Sequence, residues 1–97
     1  MYKLKYLSSF DDDLIEVEIY LMEYSPAACD KLTESIIEKV ADLIHHPYLY
    51  PISPYDNRLR FIVLPYKYIL FYHVNEADRV IEIMRILRGM MDISSIL

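Results

Sequence analysis

All five arginines of this chain fall between residues 58 and 88: Arg58, Arg60, Arg79, Arg85 and Arg88. A guanidinium keeps its charge at any pH a protein survives and presents a rigid fork of donors, so clustered arginines suit phosphate or carboxylate. Arg85 and Arg88 close a segment that alternates like a strand, and the only glycine, Gly89, follows at once. Glycine takes φ > 0 at little cost, so a turn is expected there. Acid–base chemistry on a bound phosphate needs a base near neutral pKa, a cation on the phosphate and a proton donor. Arg60 and Arg85 are candidates for the cation, and Tyr66, Tyr68 or Tyr72 for the donor. Neither arginine can be the base, because guanidinium does not deprotonate. His73, inside an apolar run, reads as a satisfied or edge residue. His45-His46 stand before Pro47 at a helix end, where cations offset the dipole. No further ligand lies at metal-binding spacing from them, so neither metal nor cofactor is expected.

These side chains depend on the elements that carry them. Residues 2–7 alternate Tyr2, Leu4, Tyr6 with Lys3, Lys5, a strand with one wet side. Ser8-Ser9-Phe10-Asp11-Asp12-Asp13 supplies caps and first-turn acids for a helix. Leu14, Val17, Leu21 and Tyr24 form its apolar stripe over about three turns. Ser25 caps a second helix with Pro26 at its first position. Cys29, Leu32, Ile36, Val40 and Leu43 line that helix until Pro47. A proline-punctuated loop follows to Asn57, then strands at Arg58–Leu64, Lys67–Val74 and Arg79–Arg88. The order is β-α-α-β-β-β, and the class α+β. A helical hairpin should pack on one face of a twisted, mainly antiparallel sheet, with the other face left for binding. Alternation puts Arg58 and Arg60 on one face, and Arg79, Ile81, Ile83, Arg85 and Leu87 on one face of the last strand. Arg88 then emerges opposite Arg85 unless the strand bulges or ends between them.

With 97 residues the chain is one domain, 1–97, with a modest margin of stability. Apolar residues make up 55%, enough for a core and for some surface covered by a partner. The single cysteine, Cys29, sits on the inner helix face and fits a reducing compartment. No stretch approaches the roughly 18–20 apolar residues of a membrane span, and Met1–Tyr6 shows no secretory signal. A cytoplasmic protein is expected. The net charge of −5 conceals an asymmetry. Residues 1–57 hold four lysines and eleven acids, while residues 58–91 hold five arginines and Lys67 against three acids. Overall acidity opposes avid non-specific binding of nucleic acid. Tyr48, Tyr50 and Tyr55 on the loop favour a protein interface over base stacking. Met90-Met91 with Ile93, Ile96 and Leu97 reads equally as core closure or as an adaptable docking surface.

The ordered set of motifs resembles the RelE/ParE superfamily of bacterial toxins from type II toxin–antitoxin pairs, over essentially the whole chain. The matching pieces are the acidic helix start Asp11-Asp12-Asp13-Leu14 and the Tyr-x-Ser-Pro-x-Ala type of joint around Tyr24 and Pro26-Ala27-Ala28. Arg60 opens a strand, and Tyr68-Ile69-Leu70-Phe71-Tyr72 forms the next. The ending is Ile83-Met84-Arg85-Ile86-Leu87, Arg88-Gly89-Met90-Met91-Asp92, then Ile93-Ser94-Ser95-Ile96-Leu97. Two departures stand out. Arg88 takes the place where the pattern has histidine, and Met91 takes that of an arginine.

The resemblance implies a growth-inhibiting, plasmid-stabilising toxin neutralised by a cognate antitoxin. An extended or helical antitoxin segment would lie across the sheet and its apolar edges. With no base and an acidic total, the chain looks more like the gyrase-poisoning branch, which acts by binding DNA gyrase. The alternatives are a ribosome-dependent mRNA endonuclease using Arg60, Arg85 and Tyr72, and a non-toxic degenerate interaction module. Candidate target- or antitoxin-binding residues are Arg58, Arg60, Arg85, Arg88, Met91, Ile96 and Leu97. A homodimer or a toxin–antitoxin hetero-oligomer is the expected assembly.

Overall fold

The structure, a computed structural model, describes residues 1–89 and 92–97. Met91, one of the candidate binding residues, lies outside them, as does Met90. The chain runs β1 (Lys3–Tyr6), α1 (Ser8–Tyr24), α2 (Pro26–Leu43), β2 (Arg60–Val63), β3 (Tyr68–Asn75), β4 (Val80–Arg88) and α3 (Ile93–Ile96). The strands lie in the order β1-β4-β3-β2. Both hairpin pairings are antiparallel, and β1 joins β4 in parallel. The α+β fold with a helical hairpin and a mainly antiparallel sheet is therefore as expected, with one short added helix, α3.

The two long helices bury one shared face. Phe10, Val17 and Leu21 of α1 and Cys29, Leu32, Ile36, Val40 and Leu43 of α2 meet Ile62, Leu70, Tyr72, Ile81, Ile83 and Ile86 of the sheet. Each large side chain buried there contributes roughly 1.5–3 kcal/mol. Ser25 caps α2 as expected, its Oγ accepting from the Ala28 amide at 3.2 Å with Pro26 at the first position. The cap of α1 is different. Leu7 holds the N-cap position without a side-chain bond, and Ser9 Oγ instead donates to the Met84 carbonyl at 2.6 Å.

That contact belongs to a seam that positions the functional residues. β1 covers β4 only as far as Ile83. Beyond it, α1 takes over the bare strand edge: the Leu7 amide donates to Ile83 O, Ser9 holds Met84 O, and the Asp13 carboxylate accepts from the Ile86 amide at 3.2 Å. An exposed edge is an open template for pairing, and these side chains close it. At the other side of the sheet, β2 is shielded by the bridge of Ile52 to Arg60 and by Lys39 Nζ on Val63 O.

The sheet's second face is not bare. Ile93 of α3 is buried on Leu59, Phe71 and Leu87, with Ile96 and Leu97 packed alongside. These two candidate binding residues thus contribute to closing a small second core. Gly89 corrects the expected left-handed turn, since it has no positive φ. Its amide donates to Lys67 O at 2.6 Å, and a Cβ at this site would lie 3.1 Å from that oxygen. Glycine is favoured by this close approach of two backbones, because a Cβ would crowd the Lys67 carbonyl by a few tenths of an ångström.

Candidate functional site

β4 carries a bulge. Phe71 pairs with Arg85 but Tyr72 pairs with Ile83, so Met84 is the extra residue. Such an insertion resets the alternation of everything after it. Ile81, Ile83 and Ile86 all reach the helix side, while Glu82, Met84, Arg85 and Leu87 take the other. Strict alternation had placed Arg85 with Ile81 and Ile83, and the bulge overturns that. The expected pairing of Arg58 with Arg60 also fails. Arg58 still belongs to a turn closed by the Leu59 amide on Asp56 O; the strand starts at Arg60, which faces the helix side opposite Tyr72.

The result is a cleft of about 390 Å³ on the second face, lined by Ser9, Asp56, Arg58, Leu59, His73, Glu82, Met84, Arg85 and Leu97. Its charged groups come in pairs. Arg58 clasps Asp56 through Nε at 3.0 Å and Nη2 at 2.8 Å, and the Arg58 amide adds a third bond. These bonds hold the Asp56 carboxyl at about 2, well below the usual carboxylate range. Arg85 binds Asp13 through Nε at 2.6 Å and Nη2 at 2.9 Å. That bonding to Asp13 raises the Arg85 pKa further. His73 Nδ1 lies 2.8 Å from Glu82 Oε1. A carboxylate behind one ring nitrogen sets the tautomer and aims the other. The pair meets across β3 and β4, nine residues apart, which explains why His73 looked inert in the sequence.

The remaining candidates serve elsewhere. Arg60 donates to Tyr50 O at 2.7 Å and lies 4.9 Å from the Tyr48 ring centroid. Tyr72 is fully buried and donates to Pro47 O at 2.9 Å. Tyr48 and Tyr2 both donate to Glu76, so the loop tyrosine ties the 44–59 segment to the β3–β4 turn. Arg88 faces the helix side opposite Tyr68, 5.2 Å from the Tyr20 ring centroid. Arg85 and Arg88 both line a groove along the β4 edge, although they belong to opposite faces of the sheet. Arg60 does not join them.

This network has a pH signature. The hydrogen bond to Glu76 pushes Tyr48 up to about 12, and burial does the same for Tyr72. A pKa raised in the folded state stabilises fully below the unfolded value near 10 and is lost as pH climbs towards 12. Alkaline titration should therefore show a late-ionising group containing Tyr48 and Tyr72, whose ionisation coincides with loss of the near-ultraviolet dichroism. Uniform titration of all tyrosines with the dichroism intact would refute the network.

The outer face of the hairpin offers a different surface. Ile15, Ile19 and Met22 are 56%, 59% and 54% exposed. Their spacing of four and three places them in one row. Asp11, Asp12, Glu16, Glu18 and Glu23 surround the row, and α1 carries no basic residue. Among the described residues no helix is long and apolar enough to cross a membrane, and no three His, Cys, Asp or Glu gather as a metal site.

A helical hairpin on one face of a mainly antiparallel sheet is the architecture the RelE/ParE resemblance implies, and α3 on the reverse face is the element added to it. The family model for the ParE toxin of the type II toxin–antitoxin system, parDE, matches residues 4–93. The chain belongs to that family. It also shares the fold of a solved chain from the chromosomal ParDE TA system of P. aeruginosa, with a TM-score of 0.70 at 23% identity, over 91% of this chain and 96% of that one. No curated protein matches the sequence.

Proposed function

We propose that this chain is a cytoplasmic, growth-inhibiting toxin that acts by binding, with DNA gyrase as its target, and that a cognate antitoxin neutralises it through the apolar row on α1. The observation that carries the binding mode is the engagement of the arginines. Arg58 is clasped by Asp56, Arg85 by Asp13, and Arg60 by Tyr50 O beneath the Tyr48 ring. Catalysis on phosphate needs donors preorganised towards the place where charge develops. Here the guanidinium forks point at the protein's own acids and carbonyls. Membership of the ParE family supports gyrase as the target. The acid-rimmed row of Ile15, Ile19 and Met22 suits an antitoxin segment with an apolar stripe flanked by lysines or arginines.

A second reading, the mRNA endonuclease, has one observation in its favour. His73, held by Glu82, lies in the cleft with Arg58 and Arg85, which gives this reading a candidate base. Controlled expression in bacteria separates the two. Growth arrest with DNA-damage signalling and loss of supercoiling is the expected result. Arrest with mRNA cut in the ribosomal decoding site, and abolished by His73→Gln, would establish the nuclease instead. Normal growth would leave a non-toxic interaction module.

A further inference from the structure

The turn between β2 and β3 is built against its sequence. Tyr66 has φ 63° and ψ 29°, Lys67 has φ 65°, and the Tyr68 amide donates to Pro65 O. Two successive residues with φ > 0 are what the central positions of a type I′ turn require, and such positions favour Asn-Gly or similar pairs. A bulky aromatic and a long cation in left-handed conformation each carry a local penalty of order 1–2 kcal/mol, and such strain concentrates at functional sites. What the turn achieves is placement. Tyr66 and Lys67 join Tyr20, Tyr24, Tyr68 and Arg88 around a recess of about 270 Å³. Tyr20 and Tyr24 stack with planes 9° apart, Arg88 caps Tyr20, and Tyr24 is 79% exposed.

No acid lines this recess, although the chain as a whole carries −5. Exposed tyrosines beside an arginine have the make-up of an interface hot spot, where rigid rings supply area and the cation supplies orientation. The net acidity of the molecule disfavours a polyanion of nucleic-acid length, but it does not repel a short segment that meets only this local positive site. The recess also lies on the flank of α1 facing β4, away from the row of Ile15, Ile19 and Met22. We infer that it docks an acidic peptide segment of a protein partner, one carrying carboxylates beside apolar side chains. That partner is the toxin's target and is distinct from the antitoxin. This assignment rests on the binding mode proposed above.

The test uses the full chain and three fluorescent probes: a peptide of alternating Asp and Leu, its Asn-Leu counterpart, and a single-stranded oligothymidine. The acidic peptide should bind, and its affinity should fall at least tenfold in Lys67→Glu/Arg88→Glu and in Tyr24→Ala. The Asn-Leu version of the peptide should bind no better than those variants do. A further variant, Tyr66→Asn/Lys67→Gly, relieves the strained turn. It should raise the melting midpoint by roughly 5–15 °C, the relieved penalties being offset in part by the entropy of the new glycine, while weakening the peptide, a combination that a purely structural turn would not give. Peptide affinity unchanged by these substitutions, no peptide binding at all, or tighter binding of oligothymidine at the same residues would each overturn the inference. If the parent chain fails to arrest growth, the proposed function falls, and the peptide titration still decides the recess.

Discussion

Replacing Asp13 with alanine should destabilise the chain by about 2–3 kcal/mol, lowering the melting midpoint by roughly 10–20 °C for a domain of this size. One carboxylate accepts three bonds, two from Arg85 and one from the Ile86 amide. The side chains of Arg85 and Asp13 are 26% and 13% exposed, so water replaces little of what is lost. Removing the acid strands a half-buried guanidinium and a strand-edge amide together, and leaving buried donors unpaired costs more than the bonds themselves stabilise. Partial exposure keeps the effect at the lower end of the range for buried ion pairs. Asp13→Asn, which keeps an acceptor but loses the charge, should cost about half as much. Urea unfolding measures both. A loss below about 0.5 kcal/mol for the alanine variant, within the range of ordinary surface changes, would mean that the α1–β4 seam is not held by this carboxylate.

The second large effect concerns recognition. Ile19→Glu should weaken the antitoxin complex by 2 kcal/mol or more, roughly thirtyfold, because it buries an unpaired charge at the centre of the docking row. Exposed as it is, Ile19 contributes little to the core, and glutamate is a good helix former. Stability of the free chain should stay within about 0.5 kcal/mol. Calorimetric titration of the toxin with its antitoxin reads the loss, and growth arrest should persist in cells that carry both partners. An unchanged affinity would move the antitoxin to another surface. A Lys→Glu change in the antitoxin segment that faces this row should also lower affinity, by setting acid against the rim of Asp11, Asp12 and Glu16.

The placement of individual side chains was less legible than the elements that bear them. Apolar spacing in the two helices and in the strands after Pro47 was strong enough to reveal element order, because periodicity reports burial directly. Boundaries shifted by a residue or two, and those shifts had consequences. Arg58 and Arg60 parted because a turn, closed by Asp56, occupies the position where alternation assumed strand. A trace of the β4 bulge was present: Ile81, Ile83 and Ile86 are spaced by two and then three, which a regular strand would not bury on one side. His73 gave no signal at all, since its partner Glu82 lies across a hairpin. Tyr66-Lys67 offered the opposite of a turn signal, as neither residue suits the conformation it adopts.

What the amino-acid sequence determined by itself was the family and the architecture. Both follow from patterns repeated along the chain, where many weak local preferences agree. The tertiary structure alone decided the use of the arginines. Whether a guanidinium is free to meet a ligand depends on a carboxylate such as Asp13, which stands 72 residues from Arg85 in sequence and 2.6 Å away in space. Charge–charge contacts are short-range in distance and indifferent to sequence separation, so they become visible only once the sheet register and the helix flank have been set.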